Sequence, residues 1–242
     1  MLSPLGGGLR GSVHHDGDRV IRGDRQPSAF AQKTLVALDQ AGWTGAPRVL
    51  DPGPPEVLTF LPGPVPARGA VPDWARRPEA IIRIGRLIRE FHDLTVDVAR
   101  IHGSEVVCHN DLAPANTVYR PQDRLPYAFI DWDLAAPGSR VADLGHAAWQ
   151  WFELGPAADA SNTAAGIAQL IDAYGTTITA ADVIQAAIQS QLDTATGIEN
   201  GAAGDPALQQ LVNDGVPDAC RAAANWTQTN AARLRREADR VG

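Results

Sequence analysis

Lysine is nearly absent from this chain: Lys33 stands alone against twenty arginines. Cysteine is almost as scarce. Cys108 and Cys220 provide neither a disulfide framework nor zinc-ligand spacing, and Cys108 reads as a small apolar residue at a strand end. No apolar run approaches the roughly 20 residues that span a bilayer. No basic stretch followed by an apolar one opens the sequence. We therefore expect no signal peptide, no membrane partner and a cytoplasmic location. A formal net charge of −7 argues against the basic face that a nucleic-acid binder needs. No internal repeat is visible.

What is present suits a globular protein. The 242 residues are 44% hydrophobic and 20% charged, enough for one large domain or two lobes sharing a cleft. Charge is uneven. Residues 1–100 carry 13 basic and 11 acidic side chains, net +2; residues 101–242 carry 8 and 17, net −9. An acidic cleft wall favours cationic partners such as polyamines or amino-sugars.

The chemistry concentrates in one stretch. Val106-Val107-Cys108 is an apolar run feeding a tight loop with His109, Asp111 and Asn116. Fifteen residues beyond Asn116, a second apolar run, Tyr127 to Ile130, delivers Asp131 and then Asp133. Phosphoryl transfer to an alcohol needs in-line positioning and cations on the phosphate oxygens. Magnesium takes oxygen ligands and keeps several waters, so one carboxylate and one amide from separate loops suffice. Asn116 and Asp131 fit as metal ligands. Asp111 fits as the base that orients the attacking hydroxyl and accepts its proton. His109 fits as a brace, hydrogen-bonding a nearby carbonyl or carboxylate. Asp133 is open between a second metal and the next turn, and Asp143 reads as a brace or helix cap.

Local signals order the rest. Gly6-x-Gly8-x-x-Gly11 has the spacing of a glycine loop that covers nucleotide phosphates. A hairpin is expected over residues 12–15 and 19–22, turning at Asp16-Gly17, with His14 and His15 on opposite faces. Pro27 and Ser28 open a helix through about Gln40; Lys33 within it reads as a solvated surface residue. Short strands follow at 48–50 and 57–60. Proline and glycine crowd residues 62–72, which marks a linker. Ile81, Ile84, Leu87, Ile88 and Phe91 give the period of a buried helix over 79–94, with His92 structural. Beyond Asp143 the pattern is helical, near 141–153, 162–174, 179–199, 206–214 and 217–239, with Trp149 and Trp151 as packing residues.

These motifs resemble the aminoglycoside phosphotransferase family of small-molecule kinases, relatives of choline kinases. The match is His109-x-Asp111-x-x-x-x-Asn116, then Ile130-Asp131-Trp132-Asp133, then Pro137-Gly138-Ser139-Arg140-x-x-Asp143-Leu144. Leu58 to Gly63 is similar to that family's hinge. The resemblance implies an α+β, protein-kinase-like bilobal fold. Its small N-terminal β-sheet lobe, residues 1–63, would bind nucleotide; its mainly helical C-terminal lobe, 64–242, would carry catalysis and the acceptor site. It also implies ATP (or GTP) and Mg2+ as cofactors. Gly6, Gly8, Gly11 and Arg22 would contact nucleotide, Asp111 would be the base, and Asn116 and Asp131 would bind metal. The chain departs from the pattern at strand three, where Arg22 stands in place of lysine, and in the next helix, which holds no acid before Asp39. We thus expect a phosphotransferase acting on a hydroxyl of a small molecule, cationic ones included. The other reading is a non-catalytic kinase-like protein that sequesters a small molecule or toxin.

Overall fold

The computed structural model describes residues 3–4, 13–23, 27–175 and 177–241. The chain divides into two compact units, Met1–Arg140 and Val141–Gly242.

The first unit opens with a five-stranded antiparallel sheet: β1 (Ser3–Pro4), β2 (Val13–Asp16), β3 (Arg19–Arg22), β4 (Val49–Asp51) and β5 (Glu56–Thr59). Its spatial order is β1-β2-β3-β5-β4. The Asp16-Gly17 turn joins β2 to β3 as expected, with Gly17 at φ 64°, a value glycine reaches without a Cβ penalty. Helix α1 (Ala29–Gln40) is capped by Ser28, whose Oγ accepts from Ala31 N at 3.3 Å. It buries Leu35 and Leu38 and leaves Lys33 exposed.

Strand β3 meets β5 in a register that sets Val20 opposite Leu58 and Arg22 opposite Glu56. Cross-strand partners share a sheet face. Leu58 and Glu56 are both buried on this one, so a charged pair lies beside an apolar one.

Helix α2 (Pro78–Leu94) is the pillar under the loops that follow. Its Ile81, Ile84, Leu87, Ile88 and Phe91 are all essentially inaccessible. A short helix α3 (Val96–Arg100), too brief to leave a periodic signal, leads into β6 (Val106–Cys108). Then come β7 (Thr117–Tyr119), β8 (Pro126–Phe129) and β9 (Ala136–Gly138), paired antiparallel as β6–β9 and β7–β8. The Pro/Gly segment expected to separate two lobes is bound into the first unit. Tyr119 N donates to Pro64 O at 3.0 Å, and Tyr127 Oη donates to Pro62 O at 2.8 Å. Gly63 runs so close to the Tyr119 carbonyl that a Cβ there would collide with it.

The second unit is helical: α4 (Arg140–Phe152, starting on the boundary residue), α5 (Ala160–Tyr174), α6 (Ala180–Ala202), α7 (Pro206–Asn213) and α8 (Val216–Val241). Thr179 and Asp182 form a capping box on α6. Gly175 ends α5 in the left-handed conformation. Gly145 lets α4 approach α6 closely, since a Cβ there would lie 2.5 Å from Ala186. Asp143 lies in the first turn of α4, fully buried. Trp151 packs in the core. Among the described residues no helix is long and apolar enough to cross a membrane.

Candidate active site

Two turns build the site, each released by a buried strand. Strand β6 ends at Cys108, and the chain passes through His109, Asn110 and Asp111 to a single 3-10 turn, Pro114–Asn116. Strand β8 ends at Phe129 and yields Ile130 and Asp131 ahead of a second 3-10 turn, Trp132–Leu134. Asn110 (φ 62°) and Asp131 (φ 64°) both adopt the left-handed conformation. Asn and Asp tolerate that region better than other side-chain-bearing residues, and such backbone costs about 1–3 kcal/mol unless its surroundings enforce it.

The surroundings here are a set of hydrogen bonds between the turns. His109 is fully buried; its Nδ1 lies 3.3 Å from Asp111 N and its Nε2 lies 3.1 Å from Ile130 O. An acceptor at Nδ1 places the proton on Nε2, so the ring ties one turn to the other. Asn110 Nδ2 donates to Leu134 O at 2.9 Å, and Ile130 N donates to Asn116 O at 2.9 Å. Below them Trp132, whose Nε1 donates to Phe129 O, stacks against His109 at 4.6 Å and Phe91 of α2 at 5.2 Å. The buried helix thus fixes the turns through aromatic contacts.

On this platform Asn116 Nδ2 donates to Asp111 Oδ2 at 2.7 Å and to Asp111 O at 2.9 Å. Two acceptors fix the orientation of the amide and leave Oδ1 as the oxygen that could ligate a metal. Asp111 and Asp131 come from different turns yet share a neighbour. Arg68 Nη2 is 4.0 Å from Asp111 Oδ2 and 3.9 Å from Asp131 Oδ2. The two carboxylates therefore face a common point, and a cation sits beside it. The donors gathered there are carboxylate and amide oxygens, the hard set that suits magnesium.

Burial, the largest influence, pushes Asp111 up to about 6, partly offset by Arg68 and the Asn116 hydrogen bond. Burial also raises Asp131, with the neighbouring Asp133 charge adding to it and Arg22 opposing. A carboxyl poised near neutral pH is well matched to accepting a proton.

Arg22 reaches in from the sheet. Its Nη1 donates to Asp133 Oδ1 at 2.8 Å and to Glu56 Oε2 at 3.3 Å. Its Nη2 donates to Asp133 Oδ2 and lies 3.4 Å from Asp131 Oδ1. Burial alone would lower its pKa, but Asp133, Asp131 and Glu56 together hold it above the ordinary arginine value. Asp133 is thus engaged by a guanidinium.

The structure brings Arg22, His109, Asp111, Asn116, Asp131 and Asp133 together. Gly6, Gly8 and Gly11 lie outside the described residues, and Asp143 belongs to the second unit. Sequence reasoning missed Glu56 and Arg68. Arg68 had a signal, being the one charge in the Pro/Gly tract 62–72. Glu56 was overlooked because the acid was sought on the helix after β3, whereas it lies across the sheet.

Residues 97–177 match the sequence model of the phosphotransferase enzyme family (APH). No curated protein matches the chain. Solved structures do. An ethanolamine kinase from Plasmodium vivax superposes with TM-score 0.65 at 12% identity, over 97% of this chain and 83% of that one. A choline/ethanolamine kinase family protein from Mesorhizobium loti gives 0.58 at 18% identity, over 97% and 87%. The aminoglycoside phosphotransferase APH(3'')-Id from Streptomyces rimosus, in complex with ADP and streptomycin, gives 0.51 at 18%, over 75% and 88%. The chain therefore has the protein-kinase-like fold of these small-molecule kinases, as its motifs indicated.

Proposed function

We propose that the protein is a phosphotransferase that moves the γ-phosphate of ATP or GTP to a hydroxyl of a small molecule. The observation that carries this reading is the convergence of Asp111, Asn116 and Asp131 around one point beside Arg68. Asp111 orients the acceptor hydroxyl and takes its proton, and Asn116 holds the Asp111 carboxylate in place. Asn116 Oδ1 and Asp131 would hold magnesium, which would neutralise charge on the phosphate oxygens. His109 keeps the two turns in register. Arg68, at the mouth of this cluster, is free to turn toward the transferred phosphate. Gly6, Gly8 and Gly11 cover the nucleotide, with residues 1–63 as its lobe and 64–242 supplying catalysis and acceptor binding. The acidic balance of residues 101–242 favours cationic acceptors, aminoglycosides and amino alcohols among them. The relative solved with ADP and streptomycin lends support to both halves of the reaction.

The test is a phosphate-transfer screen over aminoglycosides, macrolides, amino alcohols and sugars, with Asp111→Asn run beside the parent. Magnesium-dependent transfer that collapses in the variant supports the reading; transfer that survives it removes Asp111 as the base. One observation favours a second reading, a non-catalytic kinase-like protein that sequesters a small molecule or toxin. Arg22 is engaged with Asp131 and Asp133 instead of standing free for phosphate. A melting temperature unmoved by millimolar ATP and magnesium would favour that reading.

A further inference from the structure

We propose that Glu56, on strand β5, is the acidic anchor that positions Arg22 and so sets how readily Asp131 accepts a cation. The inference rests on the phosphotransferase reading and adds to it a residue that no motif marks. Helix α1 offers no acid within reach of Arg22; it contributes Gln32, whose Nε2 donates to Glu56 Oε1 at 2.8 Å and to Pro52 O at 2.9 Å. The negative charge has been supplied instead by the residue directly across the sheet, in the register pair Arg22↔Glu56. The Glu56 side chain is 7% exposed and that of Arg22 19%, so water screens the pair weakly.

The geometry states what the anchor does. Arg22 has two faces to share among three carboxylates. Nη1 is divided between Glu56 and Asp133, while Nη2 binds Asp133 and stands off from Asp131 at 3.4 Å, the longest of the four contacts. Asp133 takes both nitrogens, Glu56 holds Nη1 from the sheet side at 3.3 Å, and Asp131 meets only the outer edge of Nη2. A planar, permanently charged fork cannot be neutralised to relieve the competition. Without the Glu56 charge, the guanidinium settles more fully on Asp131 and opposes any cation that approaches it.

Mn2+ is the probe, titrated into the full chain and followed by electron paramagnetic resonance, with and without ADP. Glu56→Gln keeps shape and partner Gln32 while removing the charge. Its Mn2+ dissociation constant should rise about tenfold, the lower end of what outer-shell changes cause at metal sites. In the double variant Arg22→Gln/Glu56→Gln the competing arginine is gone, and affinity should return to the parent value or better. That pair removes both members of the cross-sheet ion pair, and because Asp133 then loses its guanidinium, circular dichroism first checks that the double variant is folded. Unchanged Mn2+ affinity in Glu56→Gln overturns the proposal. So does a double variant as weak as the single, since Glu56 would then act through space or through the fold and not through Arg22. A parent protein that binds no Mn2+ in either condition sinks the phosphotransferase reading itself, and this inference with it.

Discussion

The two compact units bury their charges differently. In Met1–Arg140 one charge cluster goes inside: Glu56 is buried, Arg22 and Asp133 are nearly so, and Arg22 touches both, while pairs such as Arg89–Asp93 stay exposed. In Val141–Gly242 the pairs Arg221–Glu199 and Arg233–Glu237 lie toward water, and Asp143 at the start of α4 is a buried acid. Most of the interior there is alanine, leucine, isoleucine and Trp151, with His146, Gln191, Thr163 and Thr227 buried among them and Gly145 bringing α4 close to α6. Exposed pairs contribute little because water and salt screen them. Buried ones resist the loss of one partner by about 3–5 kcal/mol. A chain retains such a costly arrangement where something other than stability requires it, and the first unit holds the candidate site.

The sharpest way to break this contrast is to substitute one residue in each unit and ask whether turnover or stability moves. Asp111→Asn should lower transfer by about 10²–10⁴-fold, the span of a general base, with folding intact by circular dichroism. Trp151→Ala should do the reverse, costing about 3–5 kcal/mol in urea unfolding. A Trp151 variant that unfolds no more easily than the parent would erase the second unit's role as a packed core.

Acid–base behaviour sharpens the comparison further. Asp111 ionises in the fold near pH 6, against about 3.9 unfolded. Its ionisation therefore costs stability as pH rises from about 4 to 6. Asp111→Asn should melt higher than the parent at pH 7, and the gap should narrow toward pH 4. The parent's kcat/KM should fall on the acid side with an apparent pKa near 6, because the base must be ionised to work. Arg68 holds that pKa down, so Arg68→Gln should move the acid limb to higher pH. A limb that stays in place would remove Arg68 from the site. The smallest effect belongs to the second unit's surface, where Arg221→Ala should leave the melting temperature unchanged within error.

Much of this was legible because it is local. The 79–94 helix announces itself by period, the Asp16-Gly17 hairpin by its turn dipeptide, and Ser28, Gly42 and Gly175 by the ends they cap or close. The spacing from His109 to Asn116 and the apolar runs before Asp111 and Asp131 depend on neighbours within a few residues. Short elements escaped, α3 and β9 among them. Helix α3 has five residues, too few for periodicity, and β9 contains Pro137 and Gly138, which leave no strand pattern until β6 lies beside them.

The sequence alone determined the order of the longer elements, the two turns and the oxygen-bearing side chains they carry, since each follows from the conformational preferences of adjacent residues. Tertiary structure alone decided who neutralises whom. Arg22 meets Glu56 across 34 residues and Asp133 across 111, and Arg68 leaves a proline-rich strap to stand between Asp111 and Asp131. Charge pairing acts through distance in space, and that distance exists only once strand register and burial have set it.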